Sequence, residues 1–267
     1  MDFENNLRKL SYVRKCVVDW VKTSRELSHW KDNGLKQISL KFRDAQTFEH
    51  ATIGTAWAMI SYYFWAHKLN SYDPGDLKHL HEVCEEIYSR IRSECKTWPK
   101  GGWGIQGTHG ILFLIVRKFK PNILVETGIA SGYSSTIILH AMKLNGSGKL
   151  ISIDIADTVK LCGIERTSGW LVPDSFKLMW TKMIGRSTEQ LSNINEEIDC
   201  FYHDSEHSEE NMLWEYRWAA EHLKNGGVLI SDDIDWNSAW NEFHRESVNF
   251  LPLIETVTTG VSIFHRT

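Results

Sequence analysis

The sequence predicts an α/β protein: a mostly parallel seven-stranded sheet with an antiparallel C-terminal strand, preceded by a helical extension. Three observations predict it. Over the first hundred or so residues apolar side chains recur at three- and four-residue steps, the repeat of a helix face. From about Ile111 onward, short apolar runs alternate with helical patterns, the rhythm of βαβ units and a parallel sheet. The tail IETVTTGVSIFHRT reads as two strands turning at Gly260, which adds a closing antiparallel hairpin.

The elements follow in order. Helices are expected near 4–31, 47–69 and 75–95, the second starting after Thr47 and the third capped by Asp73 with Pro74 in its first turn. Residues 1–98 are thus expected to form a helical cap or arm, and 99–267 the sheet domain. The stretch PKGGWGIQGTHG, Pro99 to Gly110, carries five glycines among twelve residues and reads as a loop, either a connector or part of the site. An apolar helix follows from Ile111, then a strand Ile123 to Glu126, a helix from about Ser134 and a strand Lys149 to Asp154. Further strands are expected at Lys177 to Met183 and Ile198 to His203. A helix from Ser208 to Leu223, stopped by Gly226 and Gly227, leads into a short buried strand, Val228 to Ser231. The aromatic run Trp57 to Trp65 suits core packing first, and otherwise a cover over the site or a contact between two copies of the chain.

Composition excludes several classes. With 42% hydrophobic and 24% charged residues the chain is globular, and its longest purely apolar run, Ile111 to Val116, is far too short to span a membrane. The start, MDFENNLRKL, lacks the apolar core of a secretory signal, so a cytoplasmic protein is expected. Five cysteines, scattered and never in C-x-x-C spacing, suggest neither a disulfide framework nor a zinc site, and read as free thiols of a reducing compartment. A formal charge of −4 and a pI near 6.3 argue against a nucleic-acid partner.

The segment VETGIASGYSS, Val125 to Ser135, combines a strand, a glycine turn and a helix start. Gly128 and Gly132 let the backbone come close to a ligand, and Asp154 ends the next strand where an acid accepts hydrogen bonds from ribose hydroxyls. A nicotinamide site would want a glycine where Ala130 stands, because the pyrophosphate needs that close approach. The pattern Glu126, Thr127, Gly128 instead resembles the first motif of class I S-adenosylmethionine-dependent methyltransferases, whose fold is Rossmann-like. That resemblance implies that Gly128, Ala130, Ser131, Gly132 and Ser134 surround the methionine part of the cofactor, with Glu126 nearby and Asp154 on the ribose. More loosely, it places Gly185, Arg186 and Ser187 at the adenine. Gln106, Thr108 and His109 would close over the methionine part or the acceptor if their stretch is more than a connector.

The second constellation is HDSEHSEENMLWEY after one strand and GGVLISDDIDWNSAW at the end of the next. Both set acids at carboxyl ends of strands, the edge where open α/β sheets bind ligands, so Asp204, Asp232 and Asp233 converge on one crevice. Two unit charges 4 Å apart repel by about 4 kcal/mol at an effective dielectric near 20, so such a cluster calls for a proton or a cation. A hard divalent ion such as Mg²⁺ takes oxygen ligands of this kind. From about Gly101 to Asn241 the chain resembles the metal-assisted O-methyltransferase branch that includes macrolide-sugar and catechol O-methyltransferases. The resemblance implies Asp204, Asp232 and Asp233 as metal ligands and His207, in D-x-x-H spacing after Asp204, as general base. His203 ranks behind His207, and Asn237 and Asn241 fall close enough to reach the crevice. The same acids also suit a helix cap and turn positions. The implied partner is a small-molecule hydroxyl on a sugar, glycolipid or natural product. A metal-free N-methyltransferase and a non-catalytic S-adenosylmethionine-binding subunit are the rival readings.

Overall fold

The computed structural model describes residues 49–95 and 106–266. The helix expected near 4–31 lies outside them, as does most of the glycine-rich stretch. Helices α1 (Glu49–Lys68), α2 (Pro74–Glu94) and α3 (Gly107–Phe119) come first, followed by β1 (Ile123–Thr127), α4 (Tyr133–Asn145) and β2 (Lys149–Asp154). A small hairpin, β3 (Thr158–Leu161) and β4 (Ile164–Thr167), precedes β5 (Trp180–Ile184), the short α5 (Ser187–Gln190) and β6 (Ile198–His203). The chain closes with α6 (Glu209–His222), β7 (Leu223–Ser231), α7 (Ala239–Glu246), β8 (Phe250–Glu255) and β9 (Gly260–Phe264).

The main sheet has seven strands in the order β5-β2-β1-β6-β7-β9-β8. Pairings from β5 through β7 are parallel, and β9 runs antiparallel to both β7 and β8, as the tail predicts. Strand order reverses between β1 and β6, so a crevice opens beyond their carboxyl ends.

Successive strand residues point to opposite faces, and the core divides accordingly. Leu124, Leu150, Tyr202 and Ile230 face a cluster that also contains Tyr62 of α1, Leu80 of α2, Phe113 of α3 and Ile138 of α4. Their neighbours Val125, Ile151, Phe201 and Leu229 face a second cluster with Tyr216 of α6 and Phe243 of α7. The front helices α1 and α2 therefore bury their apolar faces in the same core as the sheet. A polar tie holds that side: Arg117 Nε of α3 donates to Asp76 Oδ1 of α2 at 2.8 Å, and Arg117 also reaches Asn145 at the end of α4. Asp73 caps α2, its side chain accepting from the backbone of Gly75 and Asp76. Among the described residues no helix is long and apolar enough to cross a membrane.

Four expectations are corrected. Residues 107–110 are the first turn of α3 rather than loop, because Gln106 and His109 form a reciprocal cap there. Helix α6 stops at His222, where Leu223 turns extended to pair with Ile198; Gly226 and Gly227 lie instead in the irregular stretch of β7. The strand sought at Lys177 begins at Trp180, after a 3₁₀ turn over Asp174–Phe176. Finally, Cys95 and Cys162 form a disulfide, 67 residues apart in sequence with Cα atoms 5.8 Å apart. No spacing rule relates the two, since it is the β3–β4 turn that carries Cys162 to the end of α2. Cys84 and Cys200 are buried free thiols, as expected.

Candidate active site

The turn after β1 is shaped by two glycines. Gly128 (φ +88°) packs so closely that an added Cβ would stand 1.9 Å from the Asp204 carbonyl oxygen, and Gly132 (φ +88°) leaves a Cβ only 2.9 Å from Gly169 Cα. An L side chain is therefore excluded by space and by backbone conformation at both. Gly128 N donates to Ile153 O at 2.8 Å, and Asp204 N donates to Thr127 O at 2.9 Å, so the ends of β1, β2 and β6 are knitted together at this point.

Asp154 secures the turn from the other side. Its Oδ2 accepts from Ile129 N and Ala130 N, both at 2.8 Å, and its Oδ1 accepts from Ala156 N at 3.0 Å. Oδ1 keeps a lone pair for one further donor, such as a ribose hydroxyl. Glu126 lies behind the turn rather than in the crevice. Fully buried, it accepts from Ser135 Oγ at 2.6 Å and Ser152 Oγ at 2.7 Å, and burial pushes its carboxyl above the usual range.

A cavity of about 700 Å³ opens over this turn, within the range of small-ligand sites. Gly128, Ala130, Ser134, Asp154, Arg186 and Ser187 line one side; Asp204, His207, Asp232 and Asp233 line the other. Ser131 and Gly132, like Glu126, are not among its lining residues; Ser131 is fully buried beneath the turn. Thus two constellations separated by some seventy residues of sequence share one cavity.

The acid side is electrostatically tense. Asp232, 7% exposed, has its carboxyl pushed up to about 7, first by burial and then by Asp233. Asp204 is also held well above the usual carboxylate range, by burial and then by Asp232. One oxygen of each is engaged: Tyr202 OH donates to Asp204 Oδ2 at 3.0 Å, and Thr108 Oγ1 donates to Asp232 Oδ1 at 2.8 Å. His207 Nε2 lies 3.8 Å from both Asp204 Oδ1 and Asp233 Oδ2. The three carboxylates are hard oxygen donors with unbalanced charge, which suits a cation such as Mg²⁺ in chemistry. Among the described residues, however, no three His, Cys, Asp or Glu side chains are grouped in a way that could hold a metal ion as they stand.

The remaining candidates separate cleanly. His203 is buried on the far side of β6, with Nδ1 2.6 Å from Glu215 Oε2. Asn237 supports the site by donating to the His207 carbonyl at 2.9 Å, whereas Asn241 is exposed and lines no part of the cavity. Sequence reasoning missed Glu215. Its carboxylate also accepts from Thr127 Oγ1 at 2.6 Å and from Ser205 Oγ at 2.8 Å, binding the ends of β1 and β6 to α6. Despite full burial, the His203 ring beside it and the donors around it hold Glu215 down at about 2.

Known proteins share this fold. A family profile described as a methyltransferase domain matches residues 125–234. Two solved structures share the fold: the O-methyltransferase TomG of Streptomyces achromogenes in complex with SAM, and cofactor-bound Rv0187 from MTB. The first is 12% identical with a TM-score of 0.50, covering 69% of this chain and 89% of that one. The second is 12% identical with a TM-score of 0.51, covering 77% and 96%. Residues 125–234 thus match a methyltransferase-domain profile, and the sheet that carries them has the Rossmann-like fold of these two structures.

Proposed function

We propose that the protein transfers the methyl group of S-adenosylmethionine to a hydroxyl oxygen of a small molecule: a sugar, glycolipid or natural product. The observation that carries this is the single cavity lined both by the turn of Gly128, Ala130 and Asp154 and by His207 with its acids. The fit to the cofactor rests on Gly128, where only a bare backbone leaves room, and on Asp154 Oδ1, which retains acceptor capacity for the ribose. Bound S-adenosylmethionine supplies an activated methyl group on a sulfonium centre.

In this reading His207 takes the acceptor's hydroxyl proton at Nε2, and Asp204 and Asp233 offset the positive charge that the ring gains. Asn237 steadies the base through its backbone carbonyl. Trp236, 56% exposed with its ring centroid 5.1 Å from that of His207, presents a flat apolar surface to an acceptor. Asp204, Asp232 and Asp233 would hold Mg²⁺, which when bound lowers the pKa of an acceptor hydroxyl. The protein's remaining contribution is orientation and exclusion of water.

Calorimetric titration with S-adenosylmethionine and S-adenosylhomocysteine, with and without Mg²⁺, tests the reading on wild type and Asp154→Ala. Micromolar binding by wild type and its loss in the variant are expected, because Asp154 holds both the turn and the ribose. No binding under any condition would overturn the proposal. In acceptor screens Asp204→Ala and His207→Ala should each abolish turnover; full activity in Asp204→Ala would favour a nitrogen acceptor and no metal.

A further inference from the structure

We propose that His109 receives the carboxylate of the cofactor's methionine part, donating a hydrogen bond from Nε2. The inference rests on the S-adenosylmethionine reading above and deepens it. His109 stands in the first turn of α3 and lines the cavity while only 7% exposed. Gln106 N donates to its Nδ1 at 3.0 Å. A ring nitrogen that accepts a backbone N–H carries no proton, so the neutral imidazole must hold its proton on Nε2. Among the described residues none accepts a hydrogen bond from that nitrogen. The helix cap thus fixes the tautomer and leaves one N–H available to a ligand.

Charge and position select the ligand group. The cavity wall carries Asp154, Asp204, Glu206, Asp232 and Asp233 against Arg186 and His207. A carboxylate entering such a wall needs a donor set apart from the acids, and a donor without net charge adds no buried ion. Burial keeps His109 neutral by lowering its pKa to about 4. Its ring lies 6.4 Å, centroid to centroid, from that of Tyr133, the first residue of α4 after the glycine turn. On the other side its neighbour Thr108 is bonded to Asp232. His109 therefore sits between the glycine turn and the acid edge, where in this reading the amino-acid end of the cofactor meets the reacting centre.

Two substitutions separate this role from a purely structural one. His109→Asn keeps an acceptor near Nδ1 for the Gln106 N–H but removes the distal donor; His109→Gln returns an N–H near the Nε2 position but gives up the cap. Each is titrated with S-adenosylhomocysteine and with 5′-methylthioadenosine, which lacks the amino-acid part. In His109→Asn the dissociation constant for S-adenosylhomocysteine should rise about tenfold to a hundredfold, the value of one hydrogen bond to a charged group, and methylthioadenosine should bind as to wild type. His109→Gln should recover most of the loss. Unchanged S-adenosylhomocysteine affinity in His109→Asn, parallel loss of both ligands, or failure of His109→Gln to recover would each overturn the inference. If wild type binds methylthioadenosine and S-adenosylhomocysteine equally well, no donor serves the carboxylate and the inference fails while the cofactor reading stands. Binding of neither ligand to wild type overturns both.

Discussion

The two banks of the cavity solve opposite problems. On the glycine-turn bank the one carboxylate that lines the cavity, Asp154, accepts three backbone N–H groups. On the acid bank Asp204 and Asp232 are crowded against each other and pushed toward their protonated forms. Glu215, just behind that bank, is fully buried and yet held low, because His203, Thr127 and Ser205 surround it. Burial alone does not decide the state of a carboxylate; the partners do. The bank assigned to the cofactor has its carboxylate tied into the backbone, and the bank assigned to chemistry holds charge that a proton or an incoming cation relieves.

Three changes would break or sharpen that contrast. The largest effect is expected from Gly128→Ala: with a Cβ 1.9 Å from the Asp204 carbonyl and φ at +88°, the joint between the banks must open. Unfolding in urea should show a loss of more than about 3 kcal/mol, together with loss of S-adenosylhomocysteine binding. Stability near that of wild type would mean the banks are not coupled through this residue.

Next comes Glu215→Gln, which removes the charge facing His203 and should cost about 2–3 kcal/mol at pH 7. Because folding depresses the Glu215 pKa from 4.5 to about 2, its stabilisation is present above pH 4.5 and lost as pH falls toward 2. The variant and wild type should therefore converge in acid melts; a constant gap down to pH 2 would show that the charge is not the cause.

The smallest effect carries the opposite sign. Asp232 has its pKa raised from 3.8 to about 7 by folding, so its contribution is most favourable below pH 3.8 and is lost as pH rises through 7. Asp232→Asn, melted in EDTA at pH 8, should be more stable than wild type by on the order of 2 kcal/mol, with turnover greatly reduced. A destabilised variant would mean that the acid bank is not under the tension described.

Much of this site was legible in sequence because it is written in short segments. Gly128 and Gly132 with Asp154 one strand later, and Asp204 with His207, each lie within a few residues of a strand end, where fold class alone dictates position. Glu215 was not legible: in the helix sequence it is one acid among Glu209, Glu210 and Glu221, and only the packing of α6 against β6 turns it toward His203. His109 was left between connector and site, since the role proposed for it depends on a cap that starts α3 one turn earlier than the glycines suggest. The β3–β4 hairpin did leave a signal, alternating runs on either side of Cys162 and Gly163, which take φ of 53° and 80° in the turn. Left-handed conformation at both central residues is the mark of a tight hairpin, and reading it would have placed Cys162 at a tip, free to find a partner.

That partner gives the chain a different connectivity. With Cys95 joined to Cys162, the polypeptide from 95 to 162 is a closed ring that contains α3, the glycine turn, α4 and β2, with the acid bank on the tail that leaves it. The bond restrains the unfolded chain by about 4 kcal/mol of loop entropy in the chain-entropy account. A single cut in the backbone of that ring leaves one covalent molecule, whereas a cut in the tail releases the acid bank as a separate fragment.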